Sequence, residues 1–155
     1  MCLAIARRIG AVLVLLLAAN VIAADVPNSV SEAFANLDGQ LSSDERASIA
    51  GAKTEDDLIQ ITHMSLGMYI RNAWFRQGHS KLIEEFHSYG AESLDDVSAM
   101  LLWAYWRHLN GMPFDLKVQG ECYRRYYLEE NQRKELAEAH GSTSYEAPSW
   151  DCPGA

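Results

Sequence analysis

The stretch Val97–Trp106 (VSAMLLWAYW) decides the fold, because apart from Ser98 it contains only apolar or aromatic side chains and no charge. The sequence Ser93-Leu94-Asp95-Asp96 precedes it, a capping residue followed by acids that favour a helix start. Gly111 and Pro113 follow it and end the helix. Since a helix that is apolar on all sides needs neighbours all round, we predict this one at the centre of a bundle.

Capping residues and glycines divide the rest of the chain into further helical segments. No segment alternates apolar and polar residues cleanly over four positions or more, so no strand is predicted. The tail 142–155 contains two prolines and is expected to be irregular. The sequence therefore predicts one all-α domain, a compact bundle of five to six helices. The predicted helices cover about 28–39, 42–51, 54–77, 80–89, 93–111 and 113–139, the last beginning at Pro113 or Phe114.

The helix predicted over 54–77 contains two sets of residues at helical spacing, one apolar and one mostly polar. Its apolar positions are Leu58, Ile59, Ile61, Leu66, Tyr69 and Ile70. A second set, Gln60, His63, Gly67, Arg71 and Trp74, falls at helical offsets of 0, 3, 7, 11 and 14, and we call it the polar stripe. Because a glycine inside a helix costs about 1 kcal/mol relative to alanine, Gly67 requires a reason.

Two interpretations of the polar stripe remain open. In the first it is a recognition groove, in which His63 and Arg71 bind a carboxylate or a phosphate. In the second it is architectural: Gly67 admits a neighbouring helix, and Arg71 pairs with Asp95 or Asp96 at the next helix start.

The N-terminal residues 1–24 have the pattern of a secretory signal peptide. Arg7 and Arg8 precede the apolar run 9–24, in which Asn20 is the only polar side chain. With 16 residues, the run is shorter than the roughly 20 that a membrane-spanning helix needs. We expect cleavage after Ala23 or Ala24, which leaves a single domain over 25–155 in the periplasm or outside the cell. An uncleaved N-terminal anchor is the alternative.

Cleavage changes the composition of the working protein. The chain has 13 basic and 21 acidic residues, and removal of two arginines leaves 11 against 21, a net charge of −10. Such an acidic protein is a poor partner for nucleic acid. Two cysteines remain, Cys122 and Cys152, and in an oxidising compartment such a pair usually forms a disulfide. That bond would tether the tail 142–155 to the last helix.

One segment resembles a known family. The sequence H-x-S-L-G-M-x-I-R-N-x-W over residues 63–74, the Asp-Asp start of the apolar helix and the Trp106–Pro113 element are similar to a small bacterial helical domain family of unknown function. The likeness covers roughly residues 27–130. The resemblance implies a helical fold and no particular activity.

No catalytic or metal-binding constellation is recognisable. His79 and His87 lie eight residues apart, about 12 Å along one helix, which is too far to share an ion. The motifs G-x-S-x-G and H-E-x-x-H are absent, and no cofactor is predicted.

Three functional hypotheses follow from these observations. The first is an exported acidic binding module, such as an immunity or inhibitor protein that acts on a basic partner in the periplasm. The second is a structural or accessory protein of the cell envelope without catalytic activity. The third and weakest is an enzyme that works through His63 and Arg71.

Overall fold

The computed structural model describes residues 26–76 and 80–148 and confirms the all-α fold. Six helices and no strand occur in these two ranges. Five are regular α-helices: α1 is Val30–Gln40, α2 is Ser43–Ala50, α4 is Lys81–Tyr89, α5 is Leu94–Leu109 and α6 is Leu116–Ala139. The third, α3, covers residues 55–75 and combines α-helical with π-helical turns.

Each helix begins at a residue whose side chain accepts a hydrogen bond from a backbone N–H of the first turn. These N-caps are Ser29, Ser42, Thr54, Ser80, Ser93 and Asp115. A cap of this kind contributes about 1 kcal/mol to stability, so the sequence itself fixes where the helices start. The predicted start of the last helix at Pro113 or Phe114 is wrong by two or three residues. Asp115 accepts from Lys117 and Val118, and the helix therefore begins at Leu116.

The central position predicted for α5 is confirmed by its burial. Nine of its sixteen residues are buried, and Trp103 and Tyr105 are among them. The Tyr105 ring lies 5.4 Å from the Phe34 ring of α1, and its hydroxyl donates to the Asp38 carboxylate at 2.8 Å. The Trp106 indole donates to the carbonyl of Ala52 at 3.1 Å. These contacts attach α1 and the loop after α2 to the central helix.

Two π-helical turns interrupt α3, at His63–Gly67 and Arg71–Phe75. A π turn closes its hydrogen bonds over five residues rather than four, so each one rotates the following side chains relative to a regular α-helix. The apolar positions of α3 are only partly buried. Leu58 and Ile70 are buried, whereas Ile59, Ile61 and Tyr69 are 38%, 44% and 38% exposed.

The end of α4 crosses α6 at backbone distance. Gly90 ends α4 with φ = 132°, a conformation that residues with a side chain rarely adopt. Gly120 of α6 faces this end, and a methyl group placed on Gly120 would lie 2.8 Å from Cβ of Tyr89 and closer still to its carbonyl group. The crossing therefore depends on a glycine at position 120.

The described part of the tail lies along α6. Tyr145 donates to the Glu130 carboxylate at 2.7 Å, and Arg133 donates to the carbonyl oxygens of Glu146 and Ala147 at 3.1 and 3.4 Å. The predicted signal segment with its cleavage site, His79 and Cys152 lie outside the described residues. In the described part of the chain, no helix has both the length and the apolar content that crossing a bilayer requires.

Candidate functional site

A groove runs between α3 and α5 and encloses a cavity of about 240 Å³. The two helices are antiparallel there, because Arg71 contacts Asp95 and Ser98 while Gly67, one turn earlier in α3, lies opposite Leu102, one turn later in α5. The residues that line the groove are Glu55, Leu58, Ile59, Thr62, His63, Gly67, Arg71, Asp95, Asp96, Ser98, Ala99, Leu102 and Trp103.

Arg71 crosses the groove and is held by three acceptors. Its Nε lies 3.0 Å from Oδ1 of Asp95, and its Nη1 donates to the Ser98 hydroxyl at 3.0 Å. Its Nη2 donates to the backbone carbonyl of His63 at 3.1 Å. Each nitrogen of the guanidinium thus has an acceptor from this chain, which corresponds to the architectural interpretation of the polar stripe. The Arg71 side chain is 16% exposed and that of Asp95 is 63% exposed.

Gly67 is the position over which the Arg71 side chain folds back. A methyl group placed there would lie 3.1 Å from Nη1 of Arg71, 3.2 Å from the carbonyl oxygen of Thr62 and 3.6 Å from Cδ1 of Leu102. The first two distances are tight, and the third is ordinary van der Waals contact. Gly67 therefore makes room for the arginine and for α5 together, which explains a glycine inside this helix.

The second carboxylate at the start of α5, that of Asp96, is buried and fully engaged within the protein. It accepts the backbone N–H groups of Glu92 and Ser93 at 2.9 and 2.8 Å, and the Tyr127 hydroxyl of α6 at 2.7 Å. Burial and then this hydrogen bond raise the pKa of Tyr127 well above its ordinary value of 10.0. Asp96 consequently caps α5 and binds α6, and it leaves Asp95 as the exposed acid of the pair.

The structure separates the polar stripe into three groups. His63, Gly67 and Arg71 line the groove, although it is the carbonyl of His63 that contacts Arg71 while its side chain is exposed. Gln60 is exposed and does not line the groove. Trp74 is 1% exposed and belongs to the core, where its indole N–H has no acceptor among the described residues. The π turns account for the position of Trp74, because both turns lie between His63 and the end of α3 and the predicted offsets assume a regular α-helix.

A second surface on α3 is apolar and exposed. Ile61, Met64, Met68 and Tyr69, which we call the apolar stripe, are 44%, 71%, 43% and 38% exposed. Ile61 and Tyr69 also line a shallow depression against α2 that includes the Glu45 carboxylate. Contiguous exposed apolar side chains of this kind mark interaction surfaces more often than isolated ones do.

Most of the aromatic residues of α5 and α6 are buried or half-buried. Trp103, Tyr105 and Tyr123 are 4%, 0% and 6% exposed, and Trp106 and Tyr127 are half-buried. Within the two described ranges, His, Cys, Asp and Glu side chains form no group of three that could hold a metal ion.

Comparison with protein families gives one match. The model of the family described as Domain of unknown function (DUF6794) matches residues 26–109, which are 84 of the 155 residues. The chain belongs to this family. No curated protein and no solved structure matches the chain.

The DUF6794 match contains both surfaces of α3. Every residue that lines the groove lies between Glu55 and Trp103, and the apolar stripe lies within the same span. The match ends at Leu109, the last residue of α5, so α6 and the tail lie beyond it. The groove and the apolar stripe are therefore features of the DUF6794 region itself.

The sequence predicts only half of the groove. It indicates His63, Gly67 and Arg71 on α3 and offers Asp95 or Asp96 as the partner of Arg71, but it predicts the other facing residues of α5 only as core. Ser98 was the available signal, because it is the single polar side chain in the apolar stretch 97–106. A polar residue at such a position has a partner when it is buried, and here that partner is Arg71.

Proposed function

We propose that this protein is an exported, non-catalytic binding module that captures a basic protein partner, as an immunity or inhibitor protein of the periplasm does. The observation that carries the proposal is the apolar stripe, whose central residue Met64 is 71% exposed. Methionine adapts its shape to a partner, and tyrosine is frequent at the centre of protein interfaces. A stable monomer has no need to expose these side chains side by side.

The charge of the mature chain determines the kind of partner. A net charge of −10 attracts a cationic protein over distances of a Debye length and accelerates its association. Glu45 borders the depression beside Ile61 and Tyr69, and Asp57 is exposed one turn before Ile61. Carboxylates around an apolar centre fit a partner that presents apolar side chains ringed by lysine or arginine.

The state of Arg71 argues against the enzyme hypothesis. A catalytic arginine binds the substrate or the developing charge, whereas all three nitrogens of Arg71 contact acceptors of this chain. The hydroxyls nearest to His63 in sequence are those of Thr62 and Ser65, and they donate to the carbonyls of Leu58 and Ile61 at 2.6 and 2.9 Å. Neither group is arranged as a nucleophile with its base.

The test is capture of a partner by the mature chain 25–155 from a periplasmic extract of the native host. We expect one basic protein at nanomolar affinity, with binding that weakens as salt is added. Met64→Asp should abolish capture, because it places a charge in the apolar centre of the interface. Leu128→Asp is the matched control, since Leu128 of α6 is 63% exposed and lies outside the apolar stripe.

Two outcomes would count against the proposal. If no stable partner is captured, the role of a structural or accessory envelope protein becomes the better account. If Met64→Asp and Leu128→Asp reduce capture equally, the apolar stripe is not the binding surface.

Export and the disulfide are part of the proposal and can be tested on the same material. Protein recovered from the periplasm should begin at Ala24 or Asp25, and its intact mass should rise by two hydrogens on reduction. The bond between Cys122 and Cys152 would close a loop of about 30 residues and contribute on the order of 3–4 kcal/mol. An unprocessed N-terminus would favour the anchored alternative, and an unchanged mass would remove the disulfide.

A further inference from the structure

Arg71 is the only Lys or Arg in the lining of the groove between α3 and α5, and its guanidinium already contacts Asp95, Ser98 and the His63 carbonyl. An incoming carboxylate or phosphate would have to compete with the Asp95 carboxylate for this guanidinium. The anion-binding interpretation of the polar stripe is therefore unfavourable in this geometry.

The lining carries an excess of negative charge instead. It contains three carboxylates, those of Glu55, Asp95 and Asp96, and one guanidinium, that of Arg71, so the formal charge of the lining is −2 with His63 neutral. Asp96 is buried and saturated by two backbone N–H groups and the Tyr127 hydroxyl. Asp95 differs, because its side chain is 63% exposed and contacts Arg71 through Oδ1. The exposed Asp95 carboxylate is thus placed to accept a further donor at the mouth of the groove.

The wall between the acids is apolar. It is formed by Leu58, Ile59, Ala99, Leu102 and Trp103. Glu55 lies at the beginning of α3, about 12 Å along the helix from His63, whose carbonyl accepts a hydrogen bond from Arg71. The cavity of about 240 Å³ is smaller than the 300–1,000 Å³ or so of sites for drug-sized ligands. Its size and lining suit a short methylene chain that ends in a positive charge.

We infer that the groove binds an alkylammonium group, with the methylene stem against Leu102 and Trp103 and the ammonium on the Asp95 carboxylate. A lysine side chain of a protein and a free aliphatic amine share this chemistry. The site is separate from the apolar stripe, because none of the four stripe residues lines it. Only the lysine source rests on the proposed function; binding of a free amine does not.

The experiment is a titration of the folded mature chain, followed by ¹H–¹⁵N correlation spectra that include the Trp103 indole. The probes are 1,5-diaminopentane, N-acetyl-lysine amide, inorganic phosphate and the uncharged 1-pentanol. Saturable shifts at Trp103 and Ala99 are expected with the two amines, and neither phosphate nor pentanol should reproduce them. A stronger response to the diamine identifies a free amine as the ligand, and a stronger response to the lysine derivative identifies a protein side chain.

Two variants and a control locate the site. Asp95→Asn should weaken amine binding about tenfold, since a charge-assisted hydrogen bond contributes about one such factor or more. Ala99→Leu should weaken it by filling the groove while it leaves the Arg71–Asp95 pair in place. Glu135→Gln removes the same charge from an exposed position of α6 and should leave binding unchanged.

The inference is overturned if neither amine shifts Trp103, if phosphate does so instead, or if Glu135→Gln weakens binding as much as Asp95→Asn. Its failure is distinguishable from failure of the proposed function. If partner capture fails while the diamine still binds, the groove is a small-molecule site and only the proposed function is refuted. If a partner is captured but no amine binds, only the inference about the groove is refuted.

Discussion

Replacement of Gly120 by alanine tests whether α4 and α6 cross at backbone distance. In an open helix this change stabilises by about 1 kcal/mol, because alanine is the better helix former. At Gly120 the added methyl group would lie 2.8 Å from Cβ of Tyr89 and closer still to its carbonyl group, whereas ordinary contact begins at 3.4 Å. Because the carbonyl carbon of Tyr89 would lie only 2.5 Å from the methyl group, the two helices must separate by 3.4 − 2.5 = 0.9 Å or more.

The expected result is a net loss of stability. Overpacking of this kind costs about 1–3 kcal/mol, and the obstacle here is backbone rather than the end of a flexible side chain. The neighbouring contact cannot relax easily, because a methyl group on Gly90 would in turn meet Arg124 and the carbonyl of Gly120. We expect Gly120→Ala to lower the free energy of unfolding by up to about 2 kcal/mol after the gain of about 1 kcal/mol in helix propensity is included.

The assay is urea denaturation followed by far-UV circular dichroism, with Gly39→Ala as the matched control. Gly39 also lies in a helix, and a methyl group placed there meets no atom within 4 Å. Gly39→Ala should therefore raise the free energy of unfolding by up to about 1 kcal/mol, and the urea midpoint should rise with it. If both variants raise the midpoint, the close crossing of α4 and α6 is refuted and with it the reason given for Gly120.

Three further predictions concern the groove and the buried hydroxyls. Arg71→Ala should lower the free energy of unfolding by about 1–2 kcal/mol. His63→Ala should change it by less than about 0.5 kcal/mol, because only the backbone of His63 contacts the arginine. Equal losses of stability in thermal denaturation would contradict this. Ser93→Ala should cost about 1 kcal/mol through loss of the α5 cap, and an unchanged melting temperature would show that the cap is not needed. Burial and hydrogen bonds raise the pKa of Tyr105 and Tyr127 in the folded state, so the folded protein holds these protons where the unfolded chain releases them, and stability should fall as pH rises above 10.0. Urea midpoints measured across that range should fall less steeply in Tyr127→Phe, and an equal slope would disprove the linkage.

The sequence predicted the helices well because their starts are local. Ser42 and Ser93 each exchange hydrogen bonds with an acid three residues later, so that a stretch of four residues contains the whole signal. The predicted burial of α5 rests on composition alone, which needs no knowledge of its neighbours.

The orientation of α3 could not be predicted in the same way. The two π turns rotate the residues that follow them, so that Trp74 lies in the core and Tyr69 is partly exposed. Arg71 folds back over Gly67 to reach Ser98, which is 27 residues away in sequence. A pattern based on a constant 3.6-residue period contains no information about such a contact. The polar stripe therefore combines residues that the structure separates.

The six N-caps also determine the order in which the molecule can form. Helices of this length equilibrate in microseconds, whereas a ribosome adds only about 5–20 residues each second. The caps of α1 and α2 leave the ribosome together with the turns they stabilise, so both helices can form while the rest of the chain is still being made. α4 must wait longer, because Gly120 is synthesised 30 residues after Gly90, a delay of about 1.5–6 s. During that interval α6 does not yet cross the end of α4, and a chaperone can bind the apolar side chains of α4, which are Leu82, Ile83 and Phe86.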